Sequence, residues 1–359
     1  MKGYSIAIIG GYPPPIGGIS VHVERLIRKL DSKSMDYILY NTSKNKIKTD
    51  YNIYNVSNLK LWLIKYFFCC RDKIIHCQEK NWYLVFILCL IKKIHKSKLV
   101  LTLHSFRENI EKFGSLKKLC FYYSIKNVDC FIAVGESEKN KLVTYGCKEN
   151  KISVIPAYIN PEYKETDDKL IPDCVWNFMK KNDFNIVANA FKISFYKNQD
   201  LYGIDMCIKL CFRLKKYFKN KNIGFIFCLP DIGDYQYYSK LKNKINELKI
   251  DNQFLMINEK LPLYPILQKS HIFLRPTNTD GDAVSIREAL NYKVPAIASD
   301  VVIRPKGAIL FKTRDMEDFY NKTVDVIENY NLYSEKLKNI KIEDNSEKLL
   351  NIYKKLSNL

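Results

Sequence analysis

Three acidic residues fall within one short stretch, TDGDAVSIREAL, at residues 279–290. Asp280 and Asp282 flank Gly281, and Glu288 follows in what the pattern predicts as the first turn of a helix. An apolar run precedes the stretch and another follows it, which places the acids in a turn between a strand and a helix. Carboxylates at such a turn can cap the helix, or they can accept hydrogen bonds from the hydroxyl groups of a sugar.

Both interpretations have a physical basis. In the first, Ser285-x-x-Glu288 is a capping box, and the two aspartates form a turn beside the positive end of the helix. In the second, the free backbone N–H groups of the helix N-terminus bind a diphosphate, and a carboxylate beside them binds vicinal hydroxyls. The N–H groups in question belong to Gly281, Asp282, Ala283, Val284 and Ser285.

The elements that must position this stretch follow from the rest of the pattern. Short apolar runs alternate with longer mixed segments, which predicts parallel strands with helices on both faces of the sheet. The alternation is interrupted by the polar stretch NPEYKETDDKLIPD, at residues 160–173, and then resumes. A chain of 359 residues exceeds one ordinary core. We therefore predict an α/β protein of two doubly wound domains, residues 1–165 and 166–339.

The predicted strands are SIAIIG, DYILYN, KIIHCQ, LVLTLH, CFIAVG, ISVIPA, NIVANA, GFIFCL, QFLMIN, HIFLRP and PAIASD. Ligands of open α/β sheets bind beyond the carboxyl ends of the strands. This rule selects the glycine loop with Gly17 and Gly18, His104 after LVLTL, and the acidic stretch after HIFLRP. The chain has neither a GxGxxG fingerprint nor a P-loop, which argues against a dehydrogenase or an NTPase.

Asp280 and Glu288 have the spacing of the E-x7-E motif of retaining GT-B glycosyltransferases, and the surrounding DGDAVSIREALNYKVPAIASD is similar to that family's pattern. GGISVHVERL resembles the family's N-terminal glycine loop and helix. VDCFIAVGESEKNKLVTYG, followed by KISVIPAYINPE, resembles the segment that closes its first domain. The resemblance, to the group 1, family 4-like enzymes, extends over nearly the whole chain, and the order of these pieces is more specific than any one of them.

The resemblance implies a GT-B fold, in which two Rossmann-like domains face each other across a cleft. The first domain would bind the acceptor, with the C-terminal helix, about residues 340–359, packed back onto it, and the second would bind a nucleotide sugar. Glu288 would bind the ribose, and Asp280, one methylene shorter than the usual glutamate, would lie by the transferred sugar. His104 would lie near the donor sugar; the alternative is a structural histidine.

The family also places two cations five residues apart beside the diphosphate. Lys192 and Lys197 have that spacing. A second register matches Gly203 to the family's glycine and puts Tyr202 in the place of the lysine. The alternative for both lysines is an exposed surface, and the alternative for Gly17 and Gly18 is a plain turn.

Composition limits the partners. With 58 Lys and Arg against 38 Asp and Glu, the formal charge is +20, which favours anionic partners such as nucleotides, anionic lipid or nucleic acid. The eleven cysteines form no CxxC pair, which favours a reducing compartment and predicts no metal site.

We expect a cytoplasmic protein without a signal peptide or membrane span, and at most peripheral at the inner face of the plasma membrane. The segments NLKLWLIKYFFCCR and WYLVFILCLIKKIHKSK are candidate membrane contacts or, alternatively, core helices.

The resemblance implies a metal-independent, retaining glycosyltransferase that needs no cofactor besides its nucleotide-sugar substrate. The expected acceptor is a glycan or a polyprenyl-diphosphate-linked glycan of a bacterial surface polysaccharide pathway. One alternative is a nucleotide-sugar 2-epimerase on the same fold. The other is a basic nucleic-acid-binding protein, although no recognisable nucleic-acid module is present, so we expect no nucleic-acid partner.

Overall fold

The computed structural model describes residues 3–14, 17–106, 109–280, 284–340, 342 and 344–357. The chain forms two compact units. One comprises Met1–Glu162 with Asp344–Leu359, and the other comprises Tyr163–Glu343. Each unit is built on a parallel sheet, so the α/β fold with two Rossmann-like domains is confirmed.

The strands are β1 (Ile6–Gly10), β2 (Tyr37–Asn41), β3 (Ile53–Asn55), β4 (Ile74–Cys77), β5 (Lys98–Leu103), β6 (Cys130–Ala133), β7 (Ile152–Val154), β8 (Phe184–Asn189), β9 (Phe195–Tyr196), β10 (Gln199–Asp200), β11 (Ile223–Cys228), β12 (Phe254–Ile257), β13 (Ile272–Arg275), β14 (Ala296–Ser299) and β15 (Ile309–Phe311).

The helices are α1 (Gly18–Ser32), α2 (Leu59–Cys69), α3 (Trp82–His95), α4 (Ser115–Asn127), α5 (Glu136–Thr144), α6 (Asp173–Lys180), α7 (Ile204–Tyr217), α8 (Tyr235–Glu247), α9 (Tyr264–Gln268), α10 (Val284–Asn291), α11 (Met316–Glu328), α12 (Tyr330–Lys338) and α13 (Asn345–Ser357). None of these helices of the described chain is long and apolar enough to cross a membrane.

Side-chain caps fix where several helices begin. The Asn58 side chain accepts hydrogen bonds from Lys60 N and Leu61 N at the start of α2. The Asp315 carboxylate does the same for the first N–H groups of α11. Such caps satisfy backbone donors that have no partner inside the helix. Short polar residues in front of apolar segments therefore set the helix boundaries locally.

The first sheet has the order β3-β2-β1-β4-β5-β6-β7, and all its neighbouring strands are parallel. The chain builds from β1 to β3 on one side and then adds β4 on the other side of β1. The direction in which successive strands are added to the sheet thus reverses between β1 and β4. Ligands of such sheets bind beyond the carboxyl ends of the strands at this reversal point.

Both faces of the first sheet are buried. Ile6 and Ile8 of β1 pack in one apolar cluster with α1 and α13. Ala7 and Ile9 pack on the opposite face, in a cluster that contains residues of α2, α3 and α4. Tyr353 of α13 is among the largest fully buried side chains, so the C-terminal helix is part of this unit's core.

The second sheet has the order β12-β11-β8-β13-β14-β15 and is also parallel. The direction in which its strands are added reverses between the neighbouring strands β8 and β13. The strands β9 and β10 form a separate antiparallel hairpin directly after β8. As in the first unit, successive residues of β8 pack on opposite faces, Ile186 and Ala188 in one cluster and Val187 in the other.

Candidate functional site

The acidic stretch begins where the sequence predicted, immediately beyond the carboxyl end of a strand. β13 ends at Arg275, and α10 begins at Val284. Because β13 pairs with β8, the stretch lies at the reversal point of the second sheet. Gly281, Asp282 and Ala283, predicted to bind the donor, lie outside the described residues.

Asp280 is held by two arginines. Its carboxylate pairs with the Arg275 side chain, with Nε–Oδ2 at 3.0 Å and Nη2–Oδ1 at 3.1 Å. Arg304 Nη1 donates to Oδ2 at 2.8 Å. The Arg304 side chain is 1% exposed and that of Asp280 is 9% exposed. We refer to these three residues as the arginine–aspartate cluster.

The cluster keeps Asp280 ionised. Burial raises the pKa of this carboxyl group, but the hydrogen bonds and positive charges of Arg275 and Arg304 outweigh burial and lower it below the ordinary value. The sequence patterns indicated the acid but neither arginine. A possible signal was the arginine at the end of the otherwise apolar run HIFLR, since a charge there needs a partner.

The first turn of α10 decides one alternative for this stretch. A capping box with Ser285 as its first member requires Ser285 to precede the helix. The helix begins at Val284, so Ser285 lies within it and does not cap it. Ser285 is 8% exposed and Glu288 is 5% exposed, whereas Val284 is exposed. Glu288 is therefore a buried carboxylate inside a helix, an arrangement that is rare without a specific partner.

The two candidate lysines have different surroundings. Lys192 is exposed and follows β8. Its backbone forms an isolated parallel β-bridge with that of Asp231, beyond the end of β11. Lys197 is the first residue of the two-residue turn of the β9–β10 hairpin, with φ of 49°. It is exposed, and its Nζ lies 5.5 Å from the centre of the Tyr196 ring. Lys192 thus lies at the reversal point, and Lys197 lies at the tip of a hairpin.

The turn after the hairpin packs against the end of β13. Gly203 has φ of +68°, and a Cβ at this position would come within 2.4 Å of the Pro276 carbonyl oxygen. The buried Asp200 carboxylate accepts hydrogen bonds from Gly203 N at 3.1 Å and Ile204 N at 3.0 Å. Burial and the nearby Asp205 raise the pKa of Asp200 to about 6. This turn is therefore a tightly fixed neighbour of the acidic stretch.

Tyr202 lies in the same turn, and the guanidinium carbon of Arg275 lies 5.2 Å from the centre of its ring. This distance is typical of a cation–π contact. In the second register of the resemblance, Tyr202 takes the place of a lysine. The structure puts a different cation, Arg275, beside that position.

In the first unit, the predicted residues lie beyond the ends of β1 and β5. Gly17 precedes α1 and Gly18 begins it; a Cβ added at Gly18 would have no neighbour within 4 Å in the described structure. His104 follows β5, and its Nε2 lies 2.8 Å from Gln78 Oε1, beyond the end of β4. Its ring centre is 4.8 Å from that of His22 on α1. The structure thus brings the start of α1 and His104 to the same end of the sheet.

Both of these histidines are neutral near pH 7. Burial, with a smaller effect of His22, lowers the pKa of His104 to about 3. Burial also lowers the pKa of His22 to about 4. His22 Nδ1 lies 2.7 Å from the Ala157 carbonyl oxygen, which can only accept, so Nδ1 carries the proton and Nε2 is an acceptor. The sequence patterns did not indicate His22 or Gln78, because a single polar residue carries no periodic signal.

The arginine–aspartate cluster predicts a stability effect for Asp280→Asn. The change leaves two buried guanidinium groups without a carboxylate, and breaking a buried ion pair from one side costs about 3–5 kcal/mol. We expect the free energy of unfolding at pH 7, measured by urea denaturation, to fall by about 3 kcal/mol or more. The exposed Asp251→Asn serves as a control and should change it by less than about 0.5 kcal/mol.

The pH dependence follows from the lowered pKa of Asp280. Its contribution is fully present above the unfolded-state pKa, about 4, and is lost as the pH falls through the folded-state pKa. The difference in the free energy of unfolding between parent and mutant should therefore become smaller only below about pH 4. A mutant as stable as the parent at pH 7 would contradict the assigned charge of the cluster.

Comparisons with known proteins agree with this architecture. Residues 16–163 match the family model described as Glycosyltransferase Family 4. An uncharacterized glycosyltransferase of Methanocaldococcus jannaschii is 24% identical over 341 residues, which are 89% of this chain and 88% of the relative.

Two solved structures share the fold along nearly the whole chain. A glycosyltransferase from Rickettsia africae superposes with a TM-score of 0.60 at 16% identity and covers 98% of both chains. The UDP-GlcNAc 2-epimerase from Neisseria meningitidis, bound to UDP-GlcNAc, superposes with a TM-score of 0.57 at 17% identity, covering 98% of this chain and 99% of that one. The fold is therefore compatible with either activity, whereas the family match and the relative select one of them. The chain is a glycosyltransferase of the GT-B type.

Proposed function

We propose that this enzyme transfers a sugar from a nucleoside-diphosphate donor, with retention of anomeric configuration, to a glycan or a polyprenyl-diphosphate-linked glycan. The proposed role is the biosynthesis of a bacterial surface polysaccharide. One observation carries the proposal most directly: Asp280 and Glu288 follow β13 at the reversal point of the second sheet, beside a helix N-terminus and two buried arginines. Hydroxyl-binding carboxylates and anion-binding groups thus occur together.

The proposed donor-binding groups differ in their chemistry. The first N–H groups of α10 would bind the diphosphate, and Glu288 would accept hydrogen bonds from the ribose hydroxyls. Lys192, beyond the end of β8, would add positive charge. Asp280 would lie by the transferred sugar while it holds the two arginines. The UDP-GlcNAc bound by the epimerase of the same fold supports a nucleotide sugar as ligand.

The proposed catalysis needs no metal or cofactor. Positioning of the donor and acceptor lowers the entropic barrier, and positive groups stabilise the charge that develops on the departing diphosphate. The first unit would bind the acceptor. For His104 and the loop with Gly17 and Gly18, all in the first unit, the roles that the resemblance implies stay predictions.

The rival activity is 2-epimerisation, for which the shared fold is the only support. A thermal-shift screen with UDP-, GDP-, ADP- and TDP-sugars identifies the donor, because a ligand that binds only the folded state raises its melting temperature. The selected donor is then incubated with and without a lipid-linked glycan. We expect a glycosylated acceptor and free nucleoside diphosphate. An epimerised nucleotide sugar, formed without acceptor, would contradict the proposal.

Glu288→Gln tests the ribose contact. Glutamine fills nearly the same volume inside α10 but loses the charge and one of the two equivalent acceptor oxygens. We expect kcat/KM for transfer to fall about tenfold or more, the effect of one charged hydrogen bond. The melting temperature should change little. Glu247→Gln, at an exposed position on α8, is the control. Parental transfer rates in both variants would show that Glu288 does not contact the donor.

A membrane-facing surface is part of the proposal. Helices α2, α3 and α4 cover the same face of the first sheet. Most apolar residues of α3 are buried, which favours the core interpretation for that predicted segment. By contrast, α2 and α4 carry exposed apolar side chains, interspersed with lysines and without any acid. These side chains are Leu61, Ile64 and Phe68 on α2, and Leu116, Leu119 and Tyr122 on α4.

Anionic lipid is the partner that this surface fits, because basic groups meet the headgroups while apolar side chains enter the interface. The protein should co-sediment with phosphatidylserine-containing vesicles and detach in high salt. Ile64→Glu with Phe68→Glu should reduce this binding about tenfold or more, since two apolar side chains that would enter the lipid interface are lost. Leu332→Glu on α12 is the matched control. Equal binding to neutral vesicles, or binding to neither, would contradict the proposal.

A further inference from the structure

The arginine–aspartate cluster is not electrically balanced. It contains two guanidinium groups and one carboxylate, and its side chains are 12%, 1% and 9% exposed for Arg275, Arg304 and Asp280. Within the described part of the chain, no other carboxylate pairs with either arginine. An uncompensated charge held away from water is unfavourable unless an opposite charge approaches it. One positive charge is thus left over for an anionic ligand.

The two arginines are not equivalent. Arg304 is fixed on all three nitrogens: besides Asp280, Nε donates to the Ser299 carbonyl at 2.9 Å, and Nη2 donates to the Thr277 hydroxyl at 3.0 Å. Arg275 uses Nε and Nη2 for Asp280. Its Nη1 makes only longer contacts, to the carbonyl oxygen of Asn189 at 3.2 Å and to its side-chain oxygen at 3.4 Å. The Nη1 edge of Arg275 is therefore the one that can exchange partners.

Arg275 lies where ligands of open α/β sheets bind. Its contact with Asn189 joins the carboxyl ends of β13 and β8, the strands on either side of the reversal point. Its guanidinium lies over the ring of Tyr202, the residue that occupies the lysine position in one register of the resemblance. A cation supplied by β13 thus lies beside the place where the loop after β8 lacks one.

We propose that Arg275 is the donor's diphosphate-binding cation in this chain and that Asp280 and Arg304 are positioning residues for it. This inference rests on the proposed function. Asp280 fixes the guanidinium plane through two parallel hydrogen bonds, and Arg304 keeps Asp280 ionised and in place. A guanidinium held in this way can exchange its weak Nη1 contacts for phosphate oxygens without losing further side-chain freedom. The first acid of the motif then acts on the donor largely through an arginine.

Binding measurements separate this role from a purely structural ion cluster. Arg275→Met removes the surplus charge and leaves Arg304 and Asp280 as a neutral pair. UDP, GDP, ADP and TDP are titrated calorimetrically into the parent, and the best ligand is compared with its own nucleoside. We expect Arg275→Met to lower the affinity for the nucleoside diphosphate about ten- to hundredfold, the effect of a charge-assisted hydrogen bond. The affinity for the nucleoside should stay unchanged. Arg213→Met, which removes an arginine charge from an exposed ion pair with Glu317, is the matched control.

Each outcome decides the inference. A folded Arg275→Met that binds nucleoside diphosphate as the parent does would overturn it while leaving the proposed function intact. A parent that binds none of the four diphosphates would overturn both. Should Arg275→Met fail to fold, Arg275→Gln provides the same neutralisation with a side chain that can still hydrogen-bond Asp280. The same selective loss of diphosphate affinity is expected of it, and equal losses for nucleoside and diphosphate would indicate a structural role.

Discussion

Burial of both faces of each parallel sheet is the constraint on which the rest of this structure depends. Ile6 and Ala7 of β1 pack on opposite faces, as do Ile186 and Val187 of β8. Strands of this kind have little room for unpaired polar side chains along their length. Polar and charged groups therefore collect just beyond the carboxyl ends, where loops leave the sheet. The candidate groups of both units lie at such ends.

The two units use this location differently. In the second unit, the strand ends carry charge: two arginines share one carboxylate, and each member is nearly inaccessible to water. In the first unit they carry neutral hydrogen-bonding groups, since burial lowers the pKa of His22 and His104 well below neutrality. A charged site suits phosphate, and a neutral one suits hydroxyl groups, because each ligand is best compensated by groups of matching polarity.

The buried histidine of β4 links the neutral site to the C-terminal helix. His76 Nδ1 lies 2.5 Å from the Tyr353 hydroxyl, and its Nε2 lies 2.7 Å from the Thr102 hydroxyl. The Gln78 amide nitrogen lies 3.1 Å from His76 Nε2, and its oxygen contacts His104. A continuous hydrogen-bonded chain thus runs from α13 through the sheet to His104. Buried networks of this kind fix the orientation of their members, so the last helix of the chain contributes to the geometry of a site far from it in sequence.

The sequence by itself determined the two-domain α/β architecture and the location of the acidic stretch, because apolar periodicity and turn residues are local properties. Its predicted strands all form; the short β3, the β9–β10 hairpin and β15 were missed, since two or three partly exposed residues carry almost no periodic signal. Only the tertiary structure decided the partners of Asp280. Arg304 is 24 residues away from it, and long-range pairing leaves no trace in local spacing. The same holds for His22 with His104, which meet only because α1 and β5 pack on one sheet.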